Sequence, residues 1–211
     1  MSERKTDISI IIPCYNLENY IGRCLKSVFE QSLDGIRYEI ILVSDSCTDR
    51  TEEIAKRMLS ESGVDFSMVS VNMRLVGLVR NKGLEYAQGK YLYFLDGDDY
   101  FTDKYALQKM FERIEAEQTS VVYMTRFESE EPVDDPYAIW RFFIRKSFVS
   151  GLKFPMQQMD EDWAYVRRMR SREGYAESRI DDVLYHYTYP REGSITAIFR
   201  ALQAARNKGH G

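Results

Sequence analysis

The sequence predicts an α/β fold with a mostly parallel sheet flanked by helices, on three observations. Ile8 to Ile12 (Ile-Ser-Ile-Ile-Ile) is β-branched and nearly continuous, as expected of a strand buried on both faces of a parallel sheet. Apolar runs of this kind alternate with stretches whose apolar residues fall at helical spacing, beginning with Leu17, Ile21, Cys24, Leu25, Val28 and Phe29. A later run, Lys-Tyr-Leu-Tyr-Phe-Leu from Lys90, ends in three carboxylates, Asp96, Asp98 and Asp99. In alternating sheets of this class, ligands bind outside the carboxyl ends of the strands.

Taken in order, Pro13 ends the first strand and Asn16 is placed to cap the helix that follows. Asp34-Gly35 makes a turn into a second strand, Tyr38 to Val43, and the crossover should be right-handed. Asp49 with Glu52 matches a capping box for a helix through Leu59. Ser62-Gly63 breaks it, and Phe66 to Val71 reads as a third strand. A short helix is expected to start at Arg80-Asn81-Lys82-Gly83 and run through Ala87. After the acidic run, Asp103 precedes an amphipathic helix (Leu107, Met110, Phe111, Ile114) and Val121 to Met124 forms a strand. Glu128 to Pro136, acidic and broken by two prolines, is the linker-like stretch. Beyond it come an apolar patch (Trp140, Phe142, Phe143, Ile144), a helix from Asp160 to Arg172 and a last strand from Arg179 to Tyr187. Ser194 is expected to cap a terminal helix reaching Arg206.

At 211 residues the chain suits one sizeable domain, and 44% hydrophobic with 29% charged residues is ordinary for a globular protein. The formal charge of −4 excludes a generally basic nucleic-acid binder, but it is unevenly spread. Residues 1–136 carry 16 basic and 25 acidic side chains, and 137–211 carry 13 and 8, so the C-terminal third suits an anionic ligand. Cys14, Cys24 and Cys47 are odd in number and lack CxxC spacing, which reads as free thiols. The polar start Met1-Ser-Glu-Arg-Lys-Thr-Asp has no apolar stretch behind it and no run approaches a membrane span, so cytoplasmic residence is expected.

The acidic run carries the chemistry. Like charges a few ångströms apart raise one another's pKa unless a cation sits among them. The natural cation is Mg2+ or Mn2+, whose preference is for oxygen ligands with phosphate sharing the shell. The sequence contains neither GxGxxG nor GxxxxGK[ST], so a diphosphate here depends on metal and arginine instead of a glycine loop.

Six blocks, in order, then carry a resemblance. They are Ser9-Ile-Ile-Ile-Pro13-Cys-Tyr15-Asn16, Val43-Ser-Asp45-Ser-Cys-Thr48-Asp49 and Gly77-Leu-Val-Arg80-Asn81-Lys-Gly83. Gly89-Lys-Tyr-Leu-Tyr-Phe-Leu-Asp96-Gly-Asp98-Asp99, Glu161-Asp162-Trp163 and Leu184-Tyr-His-Tyr-Thr-Tyr-Pro-Arg191-Glu-Gly-Ser194 complete the set. Together they resemble the family-2 glycosyltransferases of the GT-A fold, which are inverting enzymes that use nucleoside-diphosphate sugars. The resemblance implies a Rossmann-like sheet with a small C-terminal acceptor-side region. Residues 1–126 would form the nucleotide-sugar-binding part, and 127–211 the acceptor and catalytic-base part of the same domain.

It also implies roles. Pro13 and Tyr15 would lie against the nucleoside base, and Asp45 would accept from a uracil-type N–H. Arg80 would lie near the diphosphate or order the nucleotide site, and Asp96 would help hold the ribose or the metal's water shell. Asp98 would bind Mn2+ or Mg2+, and Asp162 matches the general base. Resemblance to some members makes His186 a second metal ligand, the alternative being a strand histidine bonded to a carbonyl. Arg191 and Ser194 would clasp the diphosphate from a closing loop, or be plain surface. Cys47 and Val79 depart from the commoner Gly and Ala of their blocks, at positions that supply none of this chemistry.

The expected activity is metal-dependent inverting transfer from a UDP-sugar to a hydroxyl of a glycan or lipid-linked saccharide. Two alternatives stand beside it: the same chemistry on a polyanionic acceptor such as hydroxylated bases of phage-type DNA, and an inactive sugar-nucleotide binder. A nucleotidyltransferase is disfavoured, because Cys14-Tyr15-Asn16-Leu17 lacks the Gly-rich basic loop that chemistry uses. The nucleotide sugar and a carbohydrate or other hydroxyl acceptor are the expected partners. Nucleic acid, a peripheral membrane surface and the oligomeric state stay open.

Overall fold

The computed structural model describes residues 6–191 and Ser194. Its centre is a seven-stranded sheet. Strands β1 (Ile8–Cys14), β2 (Tyr38–Asp45), β3 (Asp65–Val71) and β4 (Tyr91–Phe94) are all parallel, in the order β3-β2-β1-β4. The sheet continues through β8 (Phe142–Arg145), β6 (Val121–Met124) and β9 (Glu177–Ile180), with β8 antiparallel to both β4 and β6. Strands from both sides of position 127 therefore share one sheet. A second sheet of three short strands has the order β5 (Tyr100–Phe101), β10 (Tyr185–Tyr187), β7 (Glu128–Ser129).

Strand periodicity sorts the core into two layers. Ile8, Ile10 and Ile12 point to one face with Ile40, Leu42, Tyr91 and Tyr93. Against that face pack α1 (Ile21–Phe29), α2 (Thr51–Ser62) and α4 (Ala106–Glu117) through residues such as Leu25, Leu59 and Met110. Ile11, Ile41, Leu92 and Phe94 point to the other face, where α3 (Val76–Tyr86) and α5 (Glu161–Arg170) bring Val79, Tyr165 and Met169. A Cβ on Gly83 of α3 would stand 2.4 Å from Ile11 Cγ2, so only glycine lets α3 lie this close to β1. Helix propensity alone favours Gly83→Ala by about 1 kcal/mol. Overpacking typically costs about 1–3 kcal/mol, so the substitution should destabilise instead. Denaturant unfolding checks the sign.

Local details differ from the sequence expectations. Helix α1 begins at Ile21, and Asn16 (φ 49°) bonds Thr48 instead of capping it. The capping box is not formed. Asp49 accepts the Thr51 N–H, while Glu52 accepts from Ser44 and Ser70 instead of reaching back. Arg80 lies in the middle of α3, not at its start. The single strand expected from Arg179 to Tyr187 is two, because Asp181 and Asp182 turn out to Thr125 and Lys109 and the chain changes sheet. Two residues of the linker-like stretch pair as β7. The terminal helix expected after Ser194 lies outside the described residues. Cys14, Cys24 and Cys47 are free thiols. Among the described residues no helix is long and apolar enough to cross a membrane.

Candidate active site

The carboxyl ends of β1, β2 and β4 open on one edge of the parallel sheet. At the end of β1, Pro13 is buried and Tyr15 is 58% exposed over that edge. At the end of β2, buried Asp45 accepts the backbone N–H groups of Met73 (2.8 Å) and Arg74 (2.6 Å), which ties the loop after β3 to β2. At the end of β4 the chain passes so close to β1 that a Cβ on Gly97 would meet Leu17 Cδ1 at 2.8 Å and Cys14 Sγ at 3.0 Å. That Cβ would also stand 3.1 Å from the Pro13 carbonyl oxygen, so a larger residue there would have to push Leu17 and the end of β1 aside.

The three acids after β4 have different fates. Asp99 is committed inward, accepting from Tyr185 Oη (2.5 Å) and the Thr188 N–H (2.7 Å), and so fastens the acidic loop to β10. Burial, with Asp98 and Asp96 nearby, pushes its pKa well above the carboxylate range. Asp98 accepts from Arg191 Nε at 2.5 Å. Burial raises its pKa too, with Arg191 opposing. Asp96 turns to Arg80, whose Nη2 donates to Asp96 Oδ1 at 2.9 Å.

Arg80 gathers the rest. Only 3% exposed, it donates from Nη1 to Glu161 Oε1 and Asp162 Oδ1, both at 2.7 Å. These two acids open α5, where the helix dipole favours negative charge. Asp162 Oδ2 accepts the Ile139 N–H at 3.1 Å, which fixes the plane of the carboxylate. Three carboxylates around one guanidinium leave an excess of negative charge. Arg80 is held protonated by Asp162, Asp96 and Glu161 against the opposing effect of burial. Asp162 is pushed up to about 8 by burial, with Glu161 and Asp96 adding and Arg80 opposing. A carboxylate with proton affinity near neutrality is what a general base needs.

In the sequence Glu161 stands beside Asp162 as a further candidate acid of the same block. Its partnership with Arg80, 81 residues away, has no local signature. His186 lies apart from this cluster's hydrogen bonds. Its ring stacks on Tyr100 at 4.5 Å, Nε2 stands 3.6 Å from Glu130 Oε1, and buried Nδ1 has no hydrogen-bond partner. Among the described residues no three His, Cys, Asp or Glu side chains are grouped to form a metal cage. Mg2+ and Mn2+ can instead be held by one or two carboxylates, with substrate phosphates and water completing the shell. Partly buried Asp98, already facing a cation in Arg191, is the carboxylate that could serve such an ion.

A family model described as glycosyl transferase family 2 matches residues 9–179. The chain belongs to this family. The matched span takes in Asp45, Arg80, Asp96, Asp98 and Asp162, and leaves His186 and Arg191 beyond its end. Among curated relatives, the putative glycosyltransferase EpsH of Bacillus subtilis is 34% identical over 124 residues, 57% of this chain and 35% of its own. The poly(ribitol-phosphate) β-N-acetylglucosaminyltransferase TarS of Staphylococcus aureus is 34% identical over 92 residues, 44% of this chain and 16% of its own. The chain thus spans about a third or less of these relatives' length. The crystal structure of S. aureus TarS 1–349 with UDP-GlcNAc superposes with a TM-score of 0.79 at 22% identity, over 91% of this chain and 61% of that one. A mannosyltransferase from Pyrobaculum calidifontis with GDP-Man and Mn2+ gives 0.74 at 16% identity, over 90% and 59%. The family-2 fold is therefore the α/β GT-A architecture expected from the sequence.

Proposed function

We propose that the chain transfers a sugar from a UDP-sugar to a hydroxyl of a glycan acceptor, with inversion and with Mn2+ or Mg2+. The observation that carries this is the Arg80 cluster, in which one guanidinium binds both Asp96, at the end of β4, and Asp162, at the start of α5. A donor-side acid and a base-side acid are thereby held within reach of one reacting centre. The bound donors of the TarS and Pyrobaculum structures and the polymer acceptor named for TarS support the choice of substrates.

In this reading residues 1–126 hold the donor. Pro13 and Tyr15 lie against the base, Asp45 accepts the uracil N–H beside its two backbone donors, and Asp96 orients the ribose. Asp98 holds the metal, with His186 Nδ1 as a further ligand, and the metal's chemistry is to offset charge on the departing diphosphate. Residues 127–211 supply the acceptor side. Asp162 takes the proton of the acceptor hydroxyl as its oxygen attacks the anomeric carbon from the face opposite the diphosphate. Arg191, now on Asp98 Oδ2, passes to the diphosphate with Ser194 when the donor complex forms.

Asp98→Ala tests the donor side. Calorimetry should show UDP affinity that responds to Mn2+ in the wild type and does not respond in the variant. An unchanged Mn2+ response would remove Asp98 from the metal site.

A further inference from the structure

The acidic loop after β4 is gripped by two residues, Thr188 and Arg23, that have no part in the proposed chemistry. Strand β10 pairs with β5 in antiparallel register, Tyr185 opposite Phe101 and His186 opposite Tyr100, so Thr188 falls opposite Asp98 as the register continues. There the ladder passes to side chains. The Thr188 hydroxyl donates to the Asp98 carbonyl oxygen at 2.7 Å and accepts from Arg23 Nη2 at 2.9 Å. The same Nη2 reaches the Asp98 carbonyl oxygen at 3.3 Å. Arg23, exposed on α1, is itself steadied by stacking. Its guanidinium lies 4.2 Å from the centre of the Tyr100 ring, and His186 stacks on Tyr100 at 4.5 Å.

These bonds bear on where the Asp98 carboxylate points. The peptide unit between Asp98 and Asp99 is planar, so holding its two polar groups fixes the backbone on which the side chain stands. Its C=O is held by Thr188 and Arg23, and its N–H donates to the Asp96 carbonyl oxygen at 3.0 Å. The carboxylate is left chiefly its own side-chain torsions, and it accepts from Arg191 Nε at 2.5 Å.

Fastening the fold does not need the hydroxyl. Buried Asp99 binds Tyr185 Oη and the Thr188 N–H, which already joins the loop to β10. Past the other end of the same strand pair, the Thr102 hydroxyl donates to the Val183 carbonyl oxygen at 3.1 Å, a fastening of the same kind away from Asp98. What the Thr188 hydroxyl adds is a grip on residue 98 itself.

We propose that Thr188 is a positioning residue of the donor site: its hydroxyl, braced by Arg23, sets the direction of the Asp98 carboxylate. The proposal rests on the reading of Asp98 as the carboxylate that holds Mn2+ or Mg2+. Mg2+ above all tolerates little departure from its preferred geometry, so a carboxylate on a loosened peptide holds it less well.

Calorimetric titration of the full chain with UDP, with and without Mn2+, tests this on Thr188→Val, Thr188→Ser and Thr102→Val. Valine keeps the volume of threonine and the N–H to Asp99, and removes both hydroxyl bonds. In Thr188→Val the UDP affinity in Mn2+ should fall about fivefold, the effect of losing one hydrogen bond. Its UDP affinity without metal should not change. Serine keeps the hydroxyl and should restore the wild-type response to Mn2+. Thr102→Val loses a comparable bond remote from the carboxylate and should behave as the wild type. A Thr188→Val protein whose response to Mn2+ equals the wild type's overturns the proposal. So does a serine variant as weak as the valine one, an equal loss in Thr102→Val, or a loss that is the same without metal. Should Thr188→Val fail to fold, Arg23→Met on the surface of α1 carries the same test. A reduced Mn2+ response with unchanged metal-free binding then supports the proposal, and an unchanged response overturns it. If UDP binding by the wild type ignores Mn2+, the reading of Asp98 fails first and the role of Thr188 falls with it.

Discussion

Asp162→Asn should lower sugar transfer, to an acceptor or to water, by about 10²–10⁴-fold, the range that general-base catalysis supplies. UDP binding with Mn2+ should stay near the wild-type value, since Asp162 touches Arg80 and the Ile139 N–H and not the donor side of the cleft. The loss should fall on kcat, as for an interaction made in the transition state. Asn can keep one of the two acceptor contacts, so the cost in stability should be about 1 kcal/mol. The wild type carries a pH signature as well. The base works only when ionised, and burial holds the Asp162 pKa up to about 8 in the donor-free protein. Transfer should therefore rise with pH toward that value, and the rise should be missing in the Asn variant. A flat profile in the wild type, or an Asn variant that transfers normally, would place the base elsewhere.

Arg80→Met should have the largest effect on stability. It removes the cation from three carboxylates, two of whose ion pairs are 2.7 Å and the third 2.9 Å. Breaking a buried ion pair by deleting one partner costs about 3–5 kcal/mol, because the other charge is left uncompensated. With Arg80 gone, Asp96, Glu161 and Asp162 can relieve their repulsion only by taking up protons. The folded-state affinity for protons then exceeds that of the unfolded chain, so the defect should shrink as pH falls. Arg80→Lys should be intermediate, since an ammonium keeps the charge but cannot fork to three acids. Chemical denaturation at two pH values measures both. A loss under about 1 kcal/mol, equal at both, would contradict the account.

Much of this was legible in the sequence where the signal is local. The β-branched run Ile8–Ile12, the second strand and the strand at Val121–Met124 are where the apolar pattern puts them. The acidic cluster declares itself as a buried strand running into carboxylates. What the sequence hid is long-range. Asp96, Asp98 and Asp99 look alike in a row of letters, yet Arg80, Arg191 and Tyr185 divide them into three uses. Arg80 was expected at a helix start near a diphosphate, and lies mid-helix, bound to the acids of α5. No propensity rule links positions 80 and 162. The break between β9 and β10 has no local signal, because Asp181 and Asp182 find partners on other elements, Thr125 and Lys109.

The claim that this cluster is an active transferase site is tested most directly by UDP release from a panel of UDP-sugars with Mn2+ and no acceptor. Slow release from at least one donor is predicted, stopping when the metal is chelated and resuming when Mn2+ is restored. UDP that binds with Mn2+ while no UDP-sugar is turned over, or release that is indifferent to chelation, would contradict it.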